Sequence, residues 1–518
     1  MTPYEEEAAP PRVGLAVLKR GLLAAVLVVM MSASALATTV VLEVDDVAKT
    51  FLGPGRLQVD IPEISKAEAG GARTILLLGS DERYADRKAG LKPRSDTILL
   101  VRADPNKSAI AVMSIPRDLA VEIPGHGRDK INAAFEDGGE RLTVRTVKKL
   151  FQDATGKDFP INNVISVDFN GFRRAVDYIG GVYIDVDRDY FNDNSGAVTP
   201  DQRYAKINID PGYQKLMGQD ALDYVRYRHT DNDFIRAARQ QDFLRQARNQ
   251  AGVRKLVSLG DRKRLARVFG RYFTVDKSFR STKEIFSMLR LALYLIQASP
   301  TVNEVRFSAR ESANPVVDTR LFASNASLRR TYEEFMNAQA SSKPVATAKP
   351  TPQDKESARL RRKLNRNRES TVPGLEKARA QGVDQAVLAD PKLDFPFFFP
   401  TLRTNGAAYA GTEPRIYTIR DEEGKKHQAY RLVLSKGIAG EYYGVQGMTW
   451  KSPPILDHPD GVVRAGGRKL LVYNDGRRLR LVAWKTTRAV YWVSNTLSES
   501  LSRRQMLAIA ESLTRLKQ

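Results

Sequence analysis

Three apolar runs decide the fold of this sequence: RTILLL at residues 73–78, DTILLVRA at 96–103 and SAIAVMSI at 108–115. Each run has the length of a strand, contains β-branched residues and is apolar at nearly every position. The run VISVDF at 164–169 has the same properties. Strands that are apolar on both faces indicate a sheet covered on both sides. Helical spacing that supplies the covering layers occurs at residues 141–154, 171–179, 219–227 and 233–249. The pattern predicts an α/β/α layered domain.

The composition excludes several classes of protein and of site. The chain has 518 residues, of which 42% are apolar, and its 82 Lys and Arg against 60 Asp and Glu give a net charge of +22. It is therefore neither fully disordered, collagen-like nor a polytopic membrane protein. The absence of cysteine excludes disulfides, thiolate metal sites and a cysteine nucleophile, and the four scattered histidines form no HExxH motif. Any metal must be held by oxygen ligands.

One stretch near the N-terminus predicts a membrane anchor. Residues 21–42, GLLAAVLVVMMSASALATTVVL, carry no charge and are long enough to cross the roughly 30 Å apolar layer of a bilayer as a helix. Arg12, Lys19 and Arg20 precede the stretch, so the positive-inside rule predicts a cytoplasmic tail at 1–20 and an extracytoplasmic body, in a single-pass protein of the cell membrane. A signal peptide cleaved after Ala35-Leu36-Ala37 and a buried soluble helix are the alternatives.

The rest of the chain divides by composition. Residues 43–71 are polar and punctuated by Gly and Pro, as in a stalk, and residues 72–338 hold the predicted α/β/α domain. Residues 339–391 are rich in Ser, Pro, Ala, Lys and Arg, which predicts a basic linker. Residues 392–518 regain aromatic residues, strand-like runs and one terminal helix, which predicts a second small α+β domain.

Carboxylates and arginines flank the ends of the first two strands. Asp81 and Arg83 follow the run at 73–78, and Asp96 opens the next run. Carboxylates at strand ends can bind a divalent cation while neighbouring guanidinium groups hold an oxyanion. The alternative is that both aspartates cap turns and pair with nearby arginines on the surface.

A second cluster follows the strand at 108–115. Arg117 and Asp118 come directly after Pro116, and Lys130 follows a glycine-containing loop in which His126 reads as a turn residue. The proline and the glycines would present Arg117 and Lys130 at a rim. The alternative is that Arg117 and Lys130 are each a solvated loop residue without a ligand.

The third cluster lies around an Asp231-Asn232-Asp233 turn that can cap a new helix. If the helix restarts there, Arg236, Arg239 and Gln240 share one face near its N-terminus, a position that favours anions. Arg226 and Arg228 come from the preceding segment. Clustered guanidinium groups repel one another unless an anion screens them, which favours a phosphate ligand over the alternative, the solvent-facing basic helix of a nucleic-acid binder. No P-loop, GxGxxG or GxSxG motif accompanies the cluster.

The order of six segments carries a family resemblance. LLLGSDER, RSDTILLV, MSIPRDLAVEIPGHGRDKINAAFEDGG, VDFNGFRRAVDYIGGV, LDYVRYRHTDNDFIRAARQQDFL and the N-terminal anchor are similar to those of the LytR-CpsA-Psr family of bacterial cell-wall glycopolymer ligases. The resemblance is strong over residues 72–250 and weaker up to 338. It implies an α/β/α domain with a mixed central sheet. It also implies a phosphotransferase that moves a glycopolymer from a polyprenyl-pyrophosphate carrier to a hydroxyl of peptidoglycan, with Mg²⁺ or Mn²⁺.

The resemblance also assigns roles to residues. Asp81 and Asp96 match the metal-associated aspartates, and the pyrophosphate-binding set is matched by Arg83, Arg117, Arg226, Arg228, Arg236 and Gln240. Lys130 and Arg239 fall in the same motifs, so they are taken as further pyrophosphate-binding candidates. Arg117, Arg236 and Asp118 are the catalytic candidates, Asp118 together with Asp233 as a possible general base, although helix capping is an alternative role for Asp233. Ile235 stands where the family commonly has Gly, and its bulk would narrow the approach to the phosphates.

Other functions remain open from the sequence. A membrane-associated transcriptional regulator would suit the basic stretch RLRRKLNRNR at 359–368, but an extracytoplasmic body predicts no nucleic-acid partner. A non-catalytic tether would bind lipid phosphate and wall polymer without turnover, and a pyrophosphatase would transfer to water. The nearly apolar stretch at 285–296 is either a core helix or one wall of a tunnel for the lipid.

Overall fold

A computed structural model describes residues 58–68, 70–80, 92–195, 205–227, 231–248, 250, 273–280, 284, 287–288, 291, 301–312, 318–339, 372–476 and 478–516. The helices are α1 (Ala133–Thr155), α2 (Phe169–Tyr178), α3 (Gly218–Arg226), α4 (Asp233–Arg248), α5 (Asn325–Met336), α6 (Arg379–Ala389) and α7 (Arg503–Ser512).

The strands of the first part of the chain are β1 (Gln58–Val59), β2 (Arg73–Ser80), β3 (Ser95–Asp104), β4 (Ala109–Ile115), β5 (Ala120–Ile123), β6 (Gly127–Lys130), β7 (Asn163–Asp168), β8 (Val182–Val186), β9 (Tyr190–Asn192), β10 (Ile207–Ile209), β11 (Gly212–Leu216), β12 (Phe273–Asp276), β13 (Thr301–Val305), β14 (Arg310–Glu311) and β15 (Leu321–Phe322). Those of the second part are β16 (Leu375–Lys377), β17 (Phe399–Pro400), β18 (Leu402–Thr404), β19 (Ala408–Tyr409), β20 (Arg415–Arg420), β21 (Lys426–Ser435), β22 (Tyr442–Met448), β23 (Gly461–Ala465), β24 (Arg468–Asp475), β25 (Arg478–Lys485), β26 (Val490–Ser494) and β27 (Leu513–Thr514).

The central sheet of the first part is mixed. Its seven strands lie in the order β1-β12-β7-β2-β3-β4-β13. β2 pairs with β7 in parallel and with β3 antiparallel, while β4 pairs antiparallel with β3 and parallel with β13. The mixed α/β class implied by the resemblance is therefore correct. Because β2, β4 and β7 run in the same direction, their carboxyl ends lie at one edge of the sheet.

Both faces of this sheet are covered. On one face, Leu76, Leu100 and Met113 belong to a core that also contains Phe151 of α1 and Phe335 of α5. On the other face, Ile75 and Ala103 pack against Leu291, and α4 lies over β4. The two faces follow from the continuous apolarity of β2 to β4, in which alternate side chains point to opposite layers. The described positions of the 285–296 stretch thus contact the sheet.

The second part of the chain, described at residues 372–476 and 478–516, is built around an eight-stranded sheet and is called here the second unit. β21, β22, β26, β25 and β24 are its long central strands, and α7 packs on them with its N-terminus held by a Ser502–Gln505 capping box. The boundary predicted at residue 392 falls inside this unit. Composition placed β16 and α6 in the linker. In the structure β16 pairs with β18, and α6 buries Ala386 and Ala389 in the core with Phe397. Alanine side chains are small enough to pack beneath phenylalanine rings. The alanine-rich composition that predicted a linker here therefore belongs to a packed helix.

The two parts share a buried interface. Tyr183 of β8 and Tyr213 of β11 pack with Trp450 and Trp492. The ring centroids of Tyr213 and Trp492 are 5.6 Å apart. Asp185 accepts a hydrogen bond from Arg431 at 3.0 Å and another from the indole nitrogen of Trp492 at 3.1 Å. Because both partners of the buried Asp185 carboxylate lie on the sheet of the second part, these bonds fix the position of the two parts relative to each other.

The predicted anchor at 21–42 lies outside the described residues. Within the part of the chain that the structure describes, no helix combines the length and the apolar character needed to cross a bilayer.

Candidate functional site

The carboxyl edge of the central sheet gathers segments that are distant in sequence. Ser80, the last residue of β2, pairs with Ser95 at the start of β3 and with Asp168 at the end of β7. Ile115, the last residue of β4, pairs with Ile98 of β3. This register puts the last residues of β2, β4 and β7 at the same edge of the sheet as the first residues of β3. The residues at the carboxyl ends of β2, β4 and β7 therefore meet because these strands run in the same direction.

A continuous row of alternating charges lies on this edge. Arg117 Nη1 is 2.5 Å from Asp96 Oδ1, and Arg117 Nε is 3.6 Å from Asp118 Oδ2. Lys130 Nζ is 3.0 Å from Asp118 Oδ1 and donates to Thr319 Oγ1 at 2.8 Å. The Arg117 side chain is 12% exposed and that of Lys130 is 29% exposed. The structure thus brings Asp96, Arg117, Asp118 and Lys130 together as partly accessible charges.

Helix α4 docks beside this row. Gln240 donates through Nε2 to Thr97 Oγ1 at 3.0 Å, and so joins α4 to the residue after Asp96. The helix starts as the sequence predicts, but its cap is Asn232, whose Oδ1 accepts from the backbone nitrogen of Ile235 at 3.0 Å. Arg236 lies in the first turn of the helix and is 5% exposed. Asn232 belongs to the turn that the sequence predicts as the cap, whereas Thr97 was not singled out, although it adjoins Asp96.

Arg226 reaches the same edge from α3. Its guanidinium carbon lies 3.7 Å from the ring centroid of Phe169, the first residue of α2 and the one that follows the end of β7. A guanidinium over an aromatic face keeps its charge while the ring fixes its position. Arg226 is therefore placed at the third strand end of this edge.

Arg239 is placed differently from the other members of its motif. Its side chain is completely buried; its guanidinium pairs with Asp231 and donates to the carbonyl oxygens of Tyr224 at 3.2 Å and Tyr227 at 3.0 Å. It also lies over the ring of Tyr190, and burial raises the pKa of that tyrosine. Because these contacts surround the guanidinium, Arg239 holds the turn before α4 instead of facing a ligand.

The remaining candidates lie where the structure gives no side chain. Asp81, Arg83 and Arg228 are outside the described residues, as is the side chain of Asp233, so their predicted roles stay predictions. Two neighbours of these candidates are described: Ser80 ends β2, and Tyr227 follows α3 and accepts a hydrogen bond from Arg239 of α4.

A mostly apolar cavity of about 290 Å³ lies next to Arg117. Pro116 lines one side, Phe234 and Ile235 of α4 line a second, and Phe307, Ala439 and Ser498 close the third. Ala439 and Ser498 belong to the second unit of the chain. The Ile235 side chain is turned towards Gly440 of that unit, where an added Cβ would lie 2.8 Å from Ile235 Cγ1.

Asp96 offers carboxylate oxygens of the kind that Mg²⁺ prefers, at a partly exposed strand end. Over the described ranges, the three carboxylates that lie close enough to share a cation are instead Glu304, Asp475 and Glu499. Arg245 of α4 pairs with Glu304 and lies 3.4 Å from Asp475 and 3.9 Å from Glu499. This second group is an ion-pair network with arginine among its carboxylates, and Asp96 is likewise ion-paired, with Arg117.

The mixed sheet, with a row of charged side chains at its carboxyl edge beside the first turns of α4, defines an α/β protein. Residues 38–328 match the LytR_cpsA_psr family, which is more than half of the chain, so this protein belongs to that family.

Known relatives are similar over part of their length. A Bacillus subtilis (strain 168) protein, polyisoprenyl-teichoic acid–peptidoglycan teichoic acid transferase TagT, is 34% identical over 169 residues, which are 33% of this chain and 49% of the relative. A Bacillus cereus (strain AH820) protein, polyisoprenyl-teichoic acid–peptidoglycan teichoic acid transferase TagU, is 37% identical over 182 residues, which are 35% of this chain and 52% of the relative. The chain thus spans about half the length of these relatives. A solved structure described as TagT bound to LI-WTA is 25% identical, with a TM-score of 0.40 over 55% of this chain and 97% of that one.

Proposed function

We propose that this protein is a membrane-anchored, extracytoplasmic phosphotransferase that moves a glycopolymer from a polyprenyl-pyrophosphate carrier to a hydroxyl group of peptidoglycan. The observation that carries the proposal is the row Asp96–Arg117–Asp118–Lys130 beside the first turns of α4, at one sheet edge. Membership of the family supports it, and so do the names of the relatives, which describe transfer of teichoic acid to peptidoglycan. Nucleic acid is not an expected partner.

The chemistry is a displacement at phosphorus. The acceptor hydroxyl oxygen attacks the sugar-linked phosphorus and forms the new O–P bond, while the bond from that phosphorus to the bridging oxygen breaks and polyprenyl phosphate leaves with the electron pair. Arg117, Arg236 and Lys130 stabilise the negative charge on the phosphate oxygens, and Arg226 and Gln240 orient them. Asp118 is the carboxylate that we assign to take the hydroxyl proton, because it adjoins Arg117 within this row.

A divalent cation is part of the proposal. Asp96, together with Asp81, would hold Mg²⁺ or Mn²⁺, which when bound supplies positive charge to the phosphates. The proposed pyrophosphate set is completed by Arg83 and Arg228. Arg239 is left out of it, because its guanidinium is committed to Asp231 and to backbone carbonyls.

The test is a transfer assay with purified full-length protein, a lipid-linked glycopolymer, Mg²⁺ and peptidoglycan. Arg117→Ala should lower the transfer rate by about 10²- to 10³-fold, by analogy with the loss of one donor to a developing oxyanion. Arg141→Ala is the matched control, because Arg141 is an exposed arginine of α1 that pairs with Glu63 and not with a member of the charged row. The control should transfer polymer at the wild-type rate.

Other results would contradict the proposal. A wild-type protein that binds the donor without turnover is a tether, and one that releases free polymer phosphate in the presence of peptidoglycan is a pyrophosphatase. The membrane topology has its own test. A reporter enzyme that works only outside the cytoplasm should be active when it is fused after Gln518. Activity of a reporter that works only in the cytoplasm would favour a regulator instead.

A further inference from the structure

A loop of the second unit reaches the start of α4. It consists of residues 436–441, between β21 and β22, and is called here the β21–β22 loop. Gly440 approaches Ile235 so closely that an added Cβ would lie 2.8 Å from Cγ1 and 2.9 Å from Cδ1. Ala439 and Ser498 close the cavity that Pro116 and Ile235 line from the other side. The second unit therefore touches the turn that precedes Arg236.

The β21–β22 loop is anchored to its own unit. Glu441 accepts hydrogen bonds from Ser498 at 2.8 Å and from Ser500 at 2.5 Å, one on each carboxylate oxygen. Ser498 Oγ also lies 3.3 Å from the carbonyl oxygen of Gly440. These bonds fix the backbone of Gly440 relative to the second sheet, so Ile235 packs against a fixed surface.

The other end of α4 is held by the same unit. Arg245, in the last turns of the helix, lies among Glu304 of β13 and two carboxylates of the second unit, Asp475 and Glu499. The second unit thus contacts α4 before Arg236 and again after Gln240. A helix restrained at both ends has little freedom to shift along or away from the sheet edge.

We infer that the second unit positions the phosphate-binding turn of α4, and that Ile235 and Gly440 are the pair of positioning residues through which it does so. This inference rests on the proposed function of the sheet edge. It explains why a bulky residue stands at 235, where the resemblance implies glycine: the side chain fills the space up to the β21–β22 loop. Arg236 follows directly, so any displacement of Ile235 moves it.

The first experiment substitutes the glycine. Gly440→Ala should push on Ile235 and raise the Michaelis constant for the lipid-linked donor roughly tenfold, with a smaller change in kcat, since small misplacements of binding groups are costly. Gly437→Ala is the matched control: Gly437 has the same left-handed backbone, with φ of 74° against 77° for Gly440, but nothing lies within 4 Å of its added Cβ. Its Michaelis constant should stay near the wild-type value.

The second experiment restores the space. Ile235→Ala combined with Gly440→Ala should recover at least half of the lost donor affinity, which a general loss of folding would not do. A Gly440→Ala protein that behaves like Gly437→Ala, or a double variant no better than Gly440→Ala, would overturn the inference. If Gly440→Ala does not fold, Ile235→Ala alone should weaken binding through loss of the contact, and unchanged binding would overturn the inference.

A binding measurement separates this inference from the proposed function. Titration of inorganic pyrophosphate into each full-length variant reports the phosphate-binding turn without any transfer step. If the wild type transfers no polymer but pyrophosphate affinity falls in Gly440→Ala and returns in the double variant, positioning stands and the transferase assignment fails. If transfer occurs but affinity is the same in all variants, the transferase stands and positioning fails.

Discussion

Two arginines of neighbouring motifs illustrate how surroundings decide a residue's role. Arg117 lies at a partly exposed rim between two carboxylates, where a ligand can replace or share its contacts. Arg239 is fully buried among Asp231, two carbonyl oxygens and tyrosine rings. Helical spacing places Arg239 next to Gln240 on α4 but does not report which tertiary neighbours surround each side chain. The sequence could therefore identify the motif but could not separate its binding residues from its structural one.

Arg239→Ala should unfold more easily than the wild type, by about 3 kcal/mol, because buried Asp231 keeps only Arg188 of its two arginine partners and the Tyr224 and Tyr227 carbonyl oxygens lose their donor. Urea denaturation of the full chain measures this difference. The exposed Arg141→Ala serves again as the control and should change the unfolding free energy by less than about 0.5 kcal/mol. An Arg239→Ala protein of normal stability that no longer binds pyrophosphate would instead assign the side chain to the ligand.

At the scale of elements, the sequence predicts the central strands and α4 well because their signals are local. The runs at 73–78, 96–103 and 108–115 correspond to β2, β3 and β4, and the helix expected at 233–249 is α4. The order of strands in the sheet, and the contact of α4 with the second unit, depend on long-range packing that no local pattern contains. The local signal of the strand β22 is weak, since it contains two glycines and a glutamine and lacks a strong apolar run.

The cap of α4 gives a prediction for this element. Asn232→Ala removes the side-chain acceptor for the Ile235 backbone nitrogen and should lower the unfolding free energy by about 1 kcal/mol while weakening pyrophosphate binding. Asn232→Asp keeps an acceptor and should stay within a few tenths of a kcal/mol of the wild type. Chemical denaturation and pyrophosphate titration of both variants provide the measurement. Equal behaviour of the two variants would show that the cap does not fix the start of α4.

For the whole molecule, the contact between the two sheets combines an aromatic core with ionic networks. Tyr183 and Tyr213 pack against tryptophans of the second unit, and Asp185 binds Arg431 and Trp492. A second network joins Arg245, Glu304, Asp475 and Glu499. Burial, with the nearby Asp475 carboxylate, raises the pKa of Glu499 from 4.5 to about 7. Arg245, Arg306 and Arg480 oppose that shift.

The raised pKa of Glu499 predicts a pH dependence of stability. Between pH 4.5 and about 7 the folded protein keeps a proton on Glu499 that the unfolded chain has lost, so the unfolding free energy falls as the pH rises through this window and levels off above it. Glu499→Gln removes this contribution. The difference between wild type and Glu499→Gln should therefore change by up to about 1.4 kcal/mol per pH unit in the window.

Urea midpoints between pH 4.5 and 8 measure this difference. Glu413→Gln is the control, since Glu413 is an exposed carboxylate of the same unit that pairs with Lys392. The control should run parallel to the wild type at every pH. If Glu499→Gln also runs parallel to the wild type, Glu499 titrates at its ordinary value and the network does not hold its proton.

The close approach of Ile235 and Gly440 also matters for protein engineering. A chimaera that joins residues 1–338 to the corresponding C-terminal part of another family member would set Ile235 against whatever residue replaces Gly440. Any side chain there would collide with the isoleucine, whereas a shorter loop would leave a gap beneath it. The C-terminal part should therefore be chosen by its residue at the Gly440 position, or the residues at 235 and 440 should be exchanged together.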